Sequence, residues 1–262
     1  MKSLKLYWST SLQNGRKNFG DWLSPVLCEA LSGLPVVHAY PNRCDLMAIG
    51  SILAKAKNHF WNRRLDVWGS GLIADIGAFD SPHRLHAVRG WKTAAAIRNR
   101  RVAVVGDPGL LADRLVPANV GARKQWGVGL VPHYVDQDNP LIHDFLARAP
   151  GAKFIDIFSG IEDFIRQVAA CEVVLSSSMH GLIVADALGV PNAWIRLSGK
   201  VWGNDFKFHD YYSVFGIEPE PFPFDPQTRL ADVLALADAY RRPGLERIKR
   251  DLVAAFPYKR SA

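Results

Sequence analysis

An α/β protein built from two Rossmann-type halves that face a central cleft, with a helical C-terminus, is what three features of this sequence predict. Short apolar runs alternate with helical stretches, the whole alternation occurs twice, and after Gln227 the pattern turns purely helical. The first series runs LKLYW, DWLSPVLCEAL, LMAIG, DVWGSG, LHAVRG, WKTAAAIRN and VAVVGDPG. Strands joined by crossover helices in this way form a parallel sheet. The second series rebuilds the pattern with WGVGLVPHY, PLIHDFLARA, KFIDIF, IEDFIRQVAAC, EVVLSSS, MHGLIVADALG and NAWIRLS, and the junction falls near Val116 to Lys124. The expected division is 1–118, 119–226 and a helical segment with a basic tail over 227–262. Ligands of open parallel sheets collect beyond the carboxyl ends of the strands, so two facing halves put the site between them.

With 262 residues, 48% of them hydrophobic, the chain has ample material for a buried core, which excludes disorder. A net charge of +7 favours an anionic partner: a phosphorylated substrate, an anionic membrane surface or nucleic acid. Cys28, Cys44 and Cys171 are an odd, widely spaced set, which suits a reducing, cytoplasmic compartment. The start MKSLKLYWST reads as neither a signal peptide nor a membrane span, so the chain is expected neither to be exported nor to cross a bilayer.

The segment from Cys171 to Trp194 is the most informative. Residues 172–175 read as a buried strand, Ser176 to Ser178 as a turn, and His180 to Leu188 as a helix ended by Gly189 and Pro191. A helix N-terminus leaves backbone N–H groups unpaired; with Ser177, Ser178 and a small Gly181 beside them it makes a cradle for phosphate or carboxylate. His180 would stand beside that anion and trade protons with it. On the other reading the serines only cap the helix and His180 belongs to the core. No G-x-S-x-G elbow supports an esterase.

In VWGNDFKFHDYYSVFG, read as a loop, Lys207 either pairs with a bound anion among aromatic walls or is simply solvated. Arg89 ends a strand ahead of a helix, where a guanidinium can grip a planar anion in two-point fashion. Asp107 to Gly109 make a structural turn, and Asp21 is open between a site residue and a helix-start residue. GSGLIA fits a dinucleotide fingerprint superficially, but Gly77, the break at Asp80 to Pro82 and the missing downstream acid argue against NAD. His133, Asp136 and Asp138 read as a solvated polar turn, no metal site is expected, and no nucleic-acid signature accompanies the basic residues. The basic tail, with Arg247, Lys249, Arg250, Lys259 and Arg260, is either an exposed helix face or a contact for anionic lipid.

Taken in order, NFGDWLSPVL, VWGSGL, LHAVRGWKT, VVGDPGLLA, GLVPHYVD, SSSMHGLIVADALGVP and NDFKFHDYYSVFG resemble the polysaccharide pyruvyltransferases, and among them the short bacterial exopolysaccharide members of xanthan and succinoglycan type. The resemblance implies a GT-B-like fold, with the acceptor bound on the first half and the donor on the second. It implies phosphoenolpyruvate as donor, no cofactor, and transfer of pyruvate to a sugar diol as a cyclic ketal. By the same resemblance the acceptor is an oligosaccharide on a polyprenyl diphosphate carrier at the inner membrane face. His180 matches the family histidine of S-x-x-H, Arg89 the arginine of its V-R segment, and Lys207 the lysine of D-x-K, for which Lys200 competes. Relatives commonly have an arginine two positions before that histidine; Ser178 stands here instead. Asp21 becomes the candidate base for the acceptor, and Arg89, Lys207, Ser177, Ser178 and Gly181 the candidate donor-binding set. Two other functions are compatible with the cleft: a GT-B glycosyltransferase using a nucleotide sugar, and a non-catalytic saccharide-binding protein.

Overall fold

The apolar runs become strands of two parallel sheets. In the computed structural model, described for residues 3–13, 15–56, 63–203 and 205–259, the first sheet comprises β1 (Leu4–Tyr7), β2 (Val36–His38), β3 (Leu46–Met47), β4 (Asp66–Trp68) and β5 (Arg84–Ala87). Its order is β2-β1-β3-β4-β5, and each pairing is parallel. Helix α1 (Phe19–Ser32) follows β1, and α2 (Trp91–Ala96) follows β5. The second sheet holds β6 (Trp126–Val131), β7 (Ala152–Phe154), β8 (Cys171–Ser176) and β9 (Asn192–Trp194) in the parallel order β7-β6-β8-β9. Its helices are α3 (Pro140–Arg148), α4 (Ile161–Ala169) and α5 (Met179–Ala187). The chain continues through α6 (Phe206–Tyr212), α7 (Leu230–Leu234), α8 (Leu236–Ala239) and α9 (Leu245–Ala255).

Local chemistry sets the ends of the helices that frame the cleft. Asn18 caps α1 by accepting from the Gly20 N–H at 2.9 Å, and Gly33, at φ 66°, closes it. Leu23, Leu27 and Cys28 point inward from α1. Helix α5 buries nearly every side chain, Leu182 to Ala185 among them, because it is wedged between the second sheet and the first half. The halves share one core: the Phe19 ring stacks on Phe164 of α4 at 4.0 Å, and the Phe19 N–H donates to the Ile157 carbonyl. The turn after β1 and the turn after β8 thereby meet, carboxyl ends of strands toward each other.

Four readings of the sequence change. FKFHDYY, read as a loop, is helix α6, because the Phe208 ring stacks on Trp194 at 4.5 Å and Asp210 is tied to the first half. The segment around Val105 adds only an isolated parallel bridge to Val88 rather than a full strand. TRLADVLALADAYRR divides into α7 and α8. The final helix packs back on the first half: the Trp68 indole N–H donates to the Leu252 carbonyl, and Tyr258 donates to Asp66 at 2.7 Å. Lys249 is therefore no exposed tail charge; it is buried, paired with Asp113 at 2.7 Å and bonded to the Ala187 carbonyl. Arg260 lies outside the described residues. Cys28, Cys44 and Cys171 are all free and buried, and no helix among the described residues is long and apolar enough to cross a membrane.

Candidate functional site

Where the two turns meet, the N-terminal ends of α1 and α5 border a cavity of about 120 Å³. Both helix starts turn a positive dipole end toward this space, which favours an anion. At α1 the Phe19 and Gly20 N–H groups already donate to the Ile157 carbonyl and to Asn18, so the cradle is the start of α5, which has no side-chain cap among the described residues. The first half contributes Asn18, Asp21 and Ser51 to the wall; the second contributes His133, Ser178, His180 and Lys207. Of the residues singled out in the sequence, Asp21, Ser178, His180 and Lys207 thus line one cavity, although they come from three distant segments.

His180 fits there because of Gly20. A Cβ built on Gly20 would lie 2.0 Å from Nδ1 of His180, so the missing side chain houses the imidazole. Its Nε2 is buried and has no hydrogen-bond partner among the described residues. Burial, followed by the charges of Lys207 and Arg89, pulls His180 down to about 3, so the ring is neutral. Burial first and then the Arg89 charge lower Lys207 to about 8. Asp21 moves the opposite way, raised by burial to about 7. Each shift disfavours the charged form, and each would be reversed in part by a partner of the right charge.

Arg89, Ser177 and Gly181 are not among the lining residues. Arg89 is fully buried behind Ser51: Nη1 donates to the Ser51 hydroxyl, Nη2 to the Leu72 carbonyl, and Nε to Asp210 at 2.9 Å. Gly71 makes room for that guanidinium, since a Cβ there would lie 2.5 Å from its central carbon. This accounts for the second glycine of the GSGLIA segment without any dinucleotide. The Ser177 hydroxyl donates to Asp136 at 2.8 Å and accepts from the His133 N–H. Gly181 gives way to the Ser176 hydroxyl, 2.4 Å from a Cβ built there, which bonds the Val131 and Ser178 carbonyls and holds the turn. Ser178 precedes α5 with no side-chain capping bond among the described residues, and it lines the cavity.

The sequence reading left out Ser51, took His133 for part of a solvated turn, and placed Gly20 after the first strand without its role. His133 sits just after β6, and the turn that carries it is no solvated loop: Asp136 is buried and accepts from both Ser177 and Ser198. Burial, then the charges of Lys207 and His180, take His133 to about 3. The GLVPHYVD segment was the available signal. Lys200 lines a different, wider cleft with Trp202 and His209, so α6 delivers Lys207, not Lys200, to the cavity with His180.

Fold and site together define a two-sheet α/β protein with an anion-receptive cavity at the junction of its halves. Comparison with known proteins gives the family. The sequence profile of the polysaccharide pyruvyl transferases matches residues 44–199, and the chain belongs to that family. It is similar to the succinoglycan biosynthesis protein ExoV of Rhizobium meliloti, at 30% identity over 226 residues, 85% of this chain and 68% of that protein. An uncharacterized protein of Acanthamoeba polyphaga mimivirus is 30% identical over 182 residues, 66% of this chain. The match spans 61% of the viral protein, less than two thirds of its length.

Proposed function

We propose that this protein transfers pyruvate from phosphoenolpyruvate to two hydroxyls of one sugar in an exopolysaccharide repeat, forming a cyclic ketal and releasing phosphate. The observation that carries the reading is the convergence of Asp21, Ser178, His180 and Lys207 on a cavity of about 120 Å³, the scale of a three-carbon phosphate ester. Family membership and the similarity to a succinoglycan biosynthesis protein support it. The two parallel sheets with their turns facing one another support a GT-B-like arrangement.

The donor carries a carboxylate and a phosphate. Lys207, the Ser178 hydroxyl and the start of α5 receive them; Arg89, paired with Asp210, holds Ser51 in the wall. The methylene carbon of the donor gains a proton, the first sugar hydroxyl adds to C2 as it loses its own, and the bond from C2 to the phosphate oxygen breaks. The second hydroxyl then closes the ketal, and its proton leaves with the phosphate. One hydroxyl proton ends on the new methyl group and the other on phosphate, so no external acid is consumed.

Environment splits the proton carriers. Asp21, at about 7, still holds a proton near neutrality, so in place of the acceptor base expected from the resemblance it is the acid toward the methylene carbon; His180, neutral, is the base toward the first hydroxyl. Arrival of the anionic donor raises the basicity of His180. The acceptor in this reading is an oligosaccharide on a polyprenyl diphosphate carrier, met at an anionic membrane surface by a protein of net charge +7.

The test is phosphate release from phosphoenolpyruvate with glycosides bearing free 4- and 6-hydroxyls. His180→Ala should abolish release while leaving the thermal transition in place. A folded His180→Ala variant that turns over at the wild-type rate would refute the assignment. A nucleotide that protects against thermal unfolding more strongly than phosphoenolpyruvate would favour the glycosyltransferase reading.

A further inference from the structure

Beside the small cavity lies a second, open cleft of about 640 Å³. The two share a wall: Ile73 and Lys207 line the small cavity, and their chain neighbours Ala74 and Phe206 line the large one. Gly203 forms part of the partition, because a Cβ there would lie 2.2 Å from the Ile73 carbonyl oxygen. The large cleft falls within the usual range of about 300–1,000 Å³ for ligand sites and far exceeds what the donor needs.

Its chemistry is that of a polyhydroxylated neutral ligand. Lys92 and Lys200 offer donors, Asp75 offers an acceptor, and His209 is committed to Glu218 at 2.5 Å, so neither sign of charge dominates. Trp202 stands at the wall with 69% of its surface exposed. A tryptophan held open to water leaves a large apolar face without a partner, and an aromatic face bordered by hydrogen-bonding groups suits the apolar face of a sugar ring.

We infer that the open cleft is the acceptor subsite, that it takes a neutral oligosaccharide, and that Trp202 is the platform on which one sugar ring stacks while the reacting sugar reaches past Ile73 toward Lys207 and His180. This inference rests on the pyruvyl-transfer reading, because it needs an acceptor delivered to the neighbouring cavity.

The experiment compares wild-type protein with Trp202→Ala, Trp202→Phe and Lys92→Ala in the phosphate-release assay, varying donor and glycoside separately. Trp202→Ala should raise the KM for the glycoside by about tenfold while the KM for phosphoenolpyruvate stays within about twofold, and Trp202→Phe should recover most of the loss. A glycoside KM within about twofold of wild type in both Trp202→Ala and Lys92→Ala would overturn the subsite. Should the wild-type protein release no phosphate with any pair, the parent reading fails on its own, and saturation-transfer NMR of the glycosides decides the cleft separately. Loss of the glycoside signal in Trp202→Ala would uphold it; an unchanged signal would overturn it.

Discussion

Gly20 and His180 compete for one space: a Cβ on the glycine would fall 2.0 Å from the imidazole Nδ1. The first helix of one half and the buried helix of the other thus approach closely only because residue 20 has no side chain. Gly20→Ala, in the first turn of α1, is compatible with the helix itself. The ring must nonetheless move, and the expected outcome is at least a 100-fold fall in turnover with the fold retained. Circular dichroism with steady-state phosphate release checks this; full activity in the variant would mean that the position of the ring does not matter.

Asp210 ties the halves from the opposite side of the cleft. Its buried carboxylate accepts from Arg89 Nε at 2.9 Å and from both the backbone N–H and the hydroxyl of Thr93 at 2.7 Å. Gly90 is obligatory here too, since a Cβ there would lie 1.8 Å from the Asp210 carbonyl oxygen. Asp210→Asn leaves the Arg89 guanidinium without its counter-charge in a buried setting, at a cost of about 3–5 kcal/mol. Lys207 sits one turn earlier on the same helix, so the variant should also bind donor more weakly. Urea denaturation and donor titration check the two effects, and a stability loss below about 1 kcal/mol would show that the pair is not the tie.

Asp21 holds a stability cost that the proposed acid role would explain. A carboxyl raised from 3.8 to about 7 keeps its proton in the folded state where the unfolded chain has lost it. Stability therefore falls as pH rises through that window, by roughly 4 kcal/mol when complete. Asp21→Asn should be more stable than wild type at pH 8, by about 1–4 kcal/mol, with the advantage shrinking toward zero near pH 4, and should be nearly inactive. Thermal melts across that pH range test it; an advantage independent of pH would rule out the carboxyl as the source.

Much of this architecture was legible in the residues, and what was not has physical reasons. Alternation of apolar runs and helical stretches disclosed both parallel sheets, because crossover connections impose that rhythm. The strand, turn and helix around Ser176 to His180 were legible from Ser, Gly and Pro punctuation. Helix α6 was hidden, since its aromatics look like loop packing until Trp194 and the Arg89 pair are in place. Arg89 read as a cleft residue because strand ends usually face ligands; only the Gly71 gap and the Asp210 carboxylate reveal that it is sunk behind Ser51. Gly20 stood in the NFGDWLSPVL segment, but its reason was illegible because it lies in a side chain 160 positions along the chain.

On the proposed reading, Lys207 makes donor binding weaken as pH rises. The phosphate of phosphoenolpyruvate is already dianionic above about pH 6, so the ligand changes little at higher pH. On the protein, Lys207 loses its charge as pH rises through about 8, and Asp21 acquires a negative charge as pH rises through about 7. Both changes oppose an anion, so affinity should fall steadily between pH 6.5 and 9.5, by at least about tenfold. The bound donor favours the protonated forms of both groups, so binding should take up protons; the calorimetric enthalpy must then vary with the ionisation enthalpy of the buffer in the sense of net uptake. Lys207→Arg, which keeps its charge throughout, should flatten the upper part of the profile, and Lys207→Met should lower affinity at every pH. Affinity that is level across the range, or protons released on binding, would show that the lysine does not meet the donor.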